Sequence, residues 1–336
     1  MCSLEASRGV VKRNGGKGRM KVLSLFDGIS CGMVALERAG VTVDRYVAYE
    51  IDENAIKVSK HNYPQIEHCG DVTKADFSKY KGFDLLIGGS PCQDLSIANQ
   101  KGKGLNGERS GLFWEYFRAL NTIKPKWFLL ENVASMKAQD KQKITEMLGV
   151  EPIMINSALV SGQQRKRLYW TNIPNVCQPV DKGIFLKDVL QDESVIPCAL
   201  RTRKDYTGSY KRLEIKKDGK ANAITGCLTD SMYCKPIRIG HLNKGGQGDR
   251  VYSVDGKSVS LSANGGGRGA KTGLYRIDLP DGDYIVRKLS PVECERLQTL
   301  PDNYTAVIGD THRIKALGNG WTVDVIAHIL KGLKEA

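Results

Sequence analysis

Lys21-Val22-Leu23-Ser24-Leu25-Phe26-Asp27-Gly28 is the stretch on which the fold turns. Its apolar run has the length of a buried strand, and Asp-Gly ends it in a tight turn. Helical spacing follows through Met33, Leu36 and Glu37 and stops at Gly40, so one strand passes directly into one helix. The alternation continues downstream. Residues 43–50 read as a second strand, and Asp52 caps a helix that runs through Ala55 and Val58. Phe83-Asp84-Leu85-Leu86-Ile87 is a buried strand running into Gly88-Gly89, residues 111–120 form an amphipathic helix, and Trp127-Phe128-Leu129-Leu130 is another strand. Strands alternating with helices predict an α/β fold with a mixed, mostly parallel sheet covered by helices on both faces. Ligands of such folds sit beyond the carboxyl ends of the strands, and Asp27, Glu50, Asp71, Cys92 and Glu131 all fall there.

The character changes near Lys187. Residues 201–273 are rich in Gly, Ser, Thr, Lys and Asn, with short alternating runs at Val251-Tyr252-Ser253-Val254 and Val259-Ser260-Leu261, a pattern that predicts a small β-rich, loop-rich module. Helical periodicity returns after Ser290, an N-cap with Pro291 at the first helical position and Glu293 in the first turn. A last helix spans residues 323–333. Charge follows the same division. Of the net +13, residues 196–288 hold 18 Lys+Arg against 9 Asp+Glu, residues 1–19 hold 5 against 1, and the remainder is neutral. A neutral body with a basic insert and a basic tail fits a polyanionic partner, and on charge alone a solubilising surface fits equally well. No apolar run reaches the ~18 residues of a membrane span, and residues 1–19 lack the apolar segment of a secretory signal. The 9 cysteines contain no CxxC pair. Neither a disulfide framework nor a metal site is expected, and a reducing cytoplasm is the expected location.

Two stretches carry chemistry. Phe26-Asp27-Gly28-Ile29-Ser30-Cys31-Gly32 joins the first strand to the first helix, where glycines let the backbone approach a ligand. It matches neither the dinucleotide fingerprint GxGxxG nor a phosphate loop. Glu50, ending the second strand, suits a ribose hydroxyl pair, although a structural tight turn accounts for Gly28 about as well. The second stretch is Gly88-Gly89-Ser90-Pro91-Cys92-Gln93. A cysteine after a proline, on the loop leaving a buried strand, is held stiffly where a ligand would sit, and this marks Cys92 as a nucleophile. Zinc deaminase chemistry needs PCxxC, but Leu95 stands at the second cysteine. The partner of Cys92 is instead Glu131, in Glu131-Asn132-Val133. A thiol with a carboxyl group suits conjugate addition to a heterocycle, with the acid protonating a ring nitrogen.

These segments, with Gly70-Asp71-Val72, Gln163-Gln164-Arg165-Lys166-Arg167 and Gly318-Asn319-Gly320, resemble in order the motifs of the DNA cytosine-5 methyltransferases. Residues 20–187 and 287–336 correspond to the catalytic domain of that family, residues 188–286 to its variable target-recognition domain, and residues 1–19 to a basic flexible tail. Residues 25–28, residues 88–97 with Lys103-Gly104-Leu105, and Pro152-Ile153-Met154-Ile155 are especially similar to the animal de novo enzymes, while the overall organisation is similar to that of bacterial and phage enzymes. Gly320-Trp321 departs from the family's Gly-Asn-Ala/Ser-Val.

The resemblance implies a Rossmann-like fold with S-adenosyl-L-methionine as methyl donor, no metal, and a pocket formed by Phe26, Asp27, Gly28, Gly32, Glu50, Ile51, Asp71, Val72, Pro91 and Asn319. It further implies that Cys92 attacks carbon 6 of a cytosine flipped out of duplex DNA. Glu131 would then hold and protonate ring nitrogen 3, keeping or sharing a proton in a desolvated pocket, while Arg165 and Arg167 fix the base and its phosphate. Residues 96–107, with Lys101 and Lys103, would close over the base as a lid. The enzyme would act as a monomer on DNA, with no membrane partner, in a restriction-modification, phage or regulatory setting. The competing readings are an RNA-directed relative, disfavoured by the missing Cys-Phe-Thr element; a silent DNA-binding relative, disfavoured by the presence of both Cys92 and Glu131; and a thiol hydrolase, disfavoured by the lack of a paired His.

Overall fold

The computed structural model describes residues 19–91, 112–191, 198–205, 208–215, 238–241, 250–261, 274–278, 284–287 and 289–334. Its centre is a seven-stranded sheet. In chain order the strands are β1 (Met20–Leu25), β2 (Val43–Tyr49), β3 (Glu67–His68), β4 (Leu85–Gly88), β5 (Trp127–Val133), β6 (Ile153–Asn156) and β7 (Lys166–Thr171), arranged spatially as β3-β2-β1-β4-β5-β7-β6. The first five pair in parallel, and β7 alone is reversed, antiparallel to both β5 and β6.

The apolar runs form central strands because both faces of the sheet are covered, and the strand period of two sends neighbours to opposite cores. Val22, Leu85, Ile87 and Leu129 face α1 (Cys31–Ala39) and α7 (Val323–Leu330). Leu23, Leu25, Leu86, Phe128 and Leu130 face α3 (Phe113–Ile123) and α4 (Ala138–Leu148). The remaining helices are α2 (Glu53–Asn62), α5 (Pro291–Leu297) and α6 (Asp310–Asn319). The cap expected at Asp52 is present, its carboxylate accepting from the amides of Asn54 and Ala55. Ser290 and Glu293 form a reciprocal capping box with Pro291 inside it. The last helix ends earlier than its sequence period indicates, passing into a 3-10 turn at Lys331–Lys334.

Six further strands lie outside this sheet. An antiparallel pair joins β8 (Cys198–Asp205) to β9 (Gly208–Ile215), and a second sheet runs β10 (Arg238–His241), β11 (Arg250–Ser253), β12 (Leu274–Asp278), β13 (Tyr284–Arg287). The run Val259-Ser260-Leu261 is not a strand. It follows a bridge between Ser258 and Gln163 and is tied to the main body, with the Gln164 amide donating to the Ser258 carbonyl at 2.9 Å. Its alternation reflects burial against a neighbouring segment, not a sheet.

Between α5 and α6 the chain is locked by Glu295, a fully buried carboxylate. It accepts from the amides of Asn303 (2.7 Å) and Thr305 (2.8 Å), from the Thr305 hydroxyl, and from Arg313 Nη2 at 2.9 Å. Removing the cation would strand a buried charge. Arg313→Ala is therefore expected to lower stability by about 3–5 kcal/mol, read as a shift of the urea unfolding midpoint with an unchanged slope. A midpoint equal to that of the parent would show that Glu295 does not depend on Arg313.

Candidate active site

At the carboxyl end of β1 the backbone makes a tight turn in which Phe26, Gly28 and Ser30 all have positive φ, at 58°, 59° and 59°. An acid beyond β2 holds this turn. Glu50 Oε2 accepts from the Gly28 amide at 2.8 Å, and Oε1 accepts from the amides of Ile51 (2.8 Å) and Asp52 (2.9 Å). Asp27 points inward, accepting from the Tyr46 hydroxyl at 2.6 Å and from Ser30 Oγ at 2.5 Å. Burial pushes its carboxyl above the usual range, against the pull of those hydrogen bonds. Ile51 exposes 71% of its surface, an unusual apolar patch immediately after Glu50. Asp71, past β3, accepts from the amide and hydroxyl of Thr73, which lower its pKa.

The row of strand ends thus brings Phe26, Asp27, Gly28, Glu50, Ile51 and Asp71 to one edge. Of the other residues expected there, Val72 and Gly32 hold packing positions. Val72 is buried in the core, and Gly32 lies where helix α1 presses on the sheet: a Cβ there would come within 2.5 Å of Ile87 Cδ1 and 2.8 Å of the Tyr46 hydroxyl. Pro91 is half-buried beyond β4, and Asn319 is exposed at the end of α6.

The strand expected to end at Leu130 continues to Val133, so Glu131 stands near the end of the β5 ladder, buried and held from two sides. Arg167 Nε lies 2.9 Å from Oε1, and the Trp321 indole donates to Oε2 at 3.2 Å. The reversal of β7 explains the first contact: its amino end lies beside the carboxyl end of β5, with Arg167 opposite Val133 and Tyr169 opposite Glu131. Next along β5, Asn132 Nδ2 reaches Ser90 Oγ at 3.1 Å, fixing the exit of β4 beside Glu131. Gly89 at that exit has no room for a side chain, since a Cβ would sit 2.9 Å from both Glu131 Oε2 and Trp321 Nε1. Cys92 and the lid at residues 96–107 lie outside the described residues. Cys31 is a poor nucleophile, because burial pushes its thiol up to about 12.

Arg165 has partners that the sequence did not announce. Its buried guanidinium reaches Ser260 Oγ and the Leu261 carbonyl, both at 3.2 Å, and the carbonyls of Gly318 (3.2 Å) and Gly320 (3.0 Å) on either side of Asn319. Gln163 works alongside it, its side-chain amide donating to the Leu297 carbonyl at 2.7 Å and to Gln298 at 2.9 Å. Trp321 was visible only as a break in a motif, and its contact with Glu131 spans 190 residues of sequence. Among the described residues, no cluster of His, Cys, Asp and Glu could hold a metal ion, and no helix is long and apolar enough to cross a membrane.

The Type II methyltransferase M.HhaI of Haemophilus parahaemolyticus is 30% identical over 328 residues, covering 92% of this chain and 93% of its own length. Type II methyltransferase M1.ScrFI of Lactococcus lactis subsp. cremoris is 28% identical over 342 residues, covering 94% and 78%. In fold, the chain is similar to the Entamoeba histolytica methyltransferase EhMeth, with a TM-score of 0.68 at 16% identity over 95% of this chain and 99% of that one. Residues 20–335 match the model of the C-5 cytosine-specific DNA methylases, and the chain belongs to that family.

Proposed function

We propose that this chain methylates carbon 5 of cytosine in duplex DNA, with S-adenosyl-L-methionine as donor and Cys92 as nucleophile. One observation carries the reading: a buried carboxylate, Glu131, held by Arg167 and Trp321 beside the β4 exit that leads to Cys92, in the same row of strand ends as the Glu50 turn. The residues at that turn fit the donor. Glu50 offers a carboxylate for ribose hydroxyls, exposed Ile51 an apolar face for a flat base, and Asp71 a further acceptor. When bound, the donor supplies a methyl group on a sulfonium centre.

The remaining work belongs to the protein. The base flips out of the stack, at a cost of a few kcal/mol. Cys92 adds to carbon 6, Glu131 supplies and holds a proton at ring nitrogen 3, and carbon 5 becomes nucleophilic. Arg167 orients Glu131 and meets the base, while Arg165 keeps the segments around Asn319 and Leu261 in register. Once carbon 5 carries the methyl group, its proton passes to solvent water and the thiolate departs, restoring the ring double bond. Residues 188–286 act as the target-recognition unit, residues 20–187 and 287–336 as the catalytic domain. The chain works as a cytoplasmic monomer on DNA.

Fluorine in place of the carbon 5 hydrogen cannot leave as a proton does, so a duplex carrying 5-fluorocytosine at the target should trap the enzyme covalently. The adduct should require S-adenosyl-L-methionine, survive denaturing electrophoresis and map to the peptide containing Pro91-Cys92-Gln93, and Cys92→Ser should abolish it. A cross-link through Cys31 or Cys69 would refute the assignment. Glu131→Gln should slow methyl transfer by roughly 10²–10⁴ with donor affinity retained, and near-normal turnover would remove Glu131 from the mechanism. DNA affinity should fall steeply with salt. Neutralising Lys244, Arg268 and Lys271 should flatten the slope of log K against log salt by about 0.9 for each phosphate that is no longer neutralised. If trimming residues 1–18 flattens it and those substitutions do not, the tail and not the insert meets the phosphates.

A further inference from the structure

We propose that Trp321 is a positioning residue for the catalytic acid, setting both the direction and the proton affinity of the Glu131 carboxyl. The inference rests on the reading of Glu131 as that acid. An indole N–H can only donate, so the 3.2 Å contact has one polarity: Trp321 gives and Glu131 Oε2 accepts. Arg167 holds the other oxygen at 2.9 Å, and the carboxyl plane is thereby fixed from two sides.

The surroundings are cut to fit the ring. A Cβ on Gly89 would strike the indole nitrogen and Glu131 Oε2 at 2.9 Å each, and one on Gly32 would meet Trp321 Cζ3 at 3.5 Å. The ring is thus wedged between the helix that follows the Phe26–Ser30 turn, the exit of β4 and the acid. Its own backbone is anchored from behind, because Arg165 and Gln298 both donate to the Gly320 carbonyl, at 3.0 and 3.2 Å. The neighbouring Thr322 hydroxyl donates to Gln298 Oε1 at 2.8 Å. A residue needed only to fill space would not require a donor aimed at a carboxylate oxygen.

Among the described residues, the charged and titratable groups that interact with Glu131 come from β7. They are Arg167 and Tyr169, whose hydroxyl is pushed up by burial and by the charge of Glu131. Trp321 is the neutral donor on the other side. A general acid works protonated, so its rate falls as pH rises through its pKa. The indole N–H stabilises the ionised carboxylate, and its loss moves that fall to higher pH while making the acid a poorer proton donor.

The test is the single-turnover rate of methyl transfer to duplex DNA as a function of pH, for the parent protein, Trp321→Phe and Trp321→Leu. Both variants lack the donor, and thermal melting identifies those that fold, so either one suffices. The expected result is a roughly 10- to 100-fold slower plateau, an alkaline limb displaced upward by about one pH unit, and S-adenosyl-L-methionine affinity near that of the parent by calorimetry. An unmoved limb, or a loss that resides in donor affinity, overturns the proposal and makes Trp321 a packing or cofactor residue. Glu131→Gln in the same assay separates the two levels. If it turns over normally, the underlying reading fails and this inference falls with it; if it is inactive while the limb of the Trp321 variants stays in place, only this inference fails.

Discussion

One reversed strand governs the site. Had β7 run parallel to β5, as the other neighbours of the central strands do, Arg167 would lie at the amino end of the sheet, far from Glu131. Antiparallel pairing brings the start of β7 to the end of β5, so a base on one strand meets an acid on the next within the hydrogen-bonded ladder. The precision that results is that of sheet register, which is more exact than a loop provides. It also explains why Arg165 and Arg167, two residues apart on the same side of an extended chain, serve the same edge of the molecule.

Arg165 shows what that edge is joined to. Its hydrogen bonds link three segments far apart in sequence: its own strand start, residues 260–261, and residues 318–320. A buried guanidinium surrounded by carbonyls and a hydroxyl keeps its donors satisfied while bridging backbones that make no ladder with one another. The segment entering the glycine-rich stretch and the segment carrying Asn319 and Trp321 therefore share a fastening. Movement of one strains the other, which is a mechanical reason for the two to be built around a residue adjacent to the acid's own partner.

Much of this fold was legible in advance. The strands β1, β4 and β5 announce themselves because a strand buried on both faces is a short apolar run, and the caps at Asp52 and Ser290 are local chemistry. Helix α6 was not legible. Its buried residues are Arg313, Leu317 and Gly318, so the periodic signal contains a cation and a glycine where a pattern search needs apolar side chains. At the site, the carboxyl-end position of Glu131 was readable, although the strand extends past it to Val133, as was that of Glu50. What held Glu131 was not, because the Arg167 and Trp321 contacts are set by tertiary geometry, which no local pattern encodes.

Two buried glutamates show how such geometry separates structure from chemistry. Glu295 is saturated: two amides, a hydroxyl and a guanidinium occupy its oxygens, close to the four lone-pair sites a carboxylate offers. It closes a loop and has nothing left to exchange. Glu131 is held by two donors among the described residues, one on each oxygen. Those two fix its orientation at the edge where ligands of this fold class sit. Burial is common to the two glutamates, so the difference between them lies in their donors among the described residues, four on Glu295 against two on Glu131. It lies also in the place of Glu131 at the ligand edge of the sheet, which is what the proposed proton transfer requires.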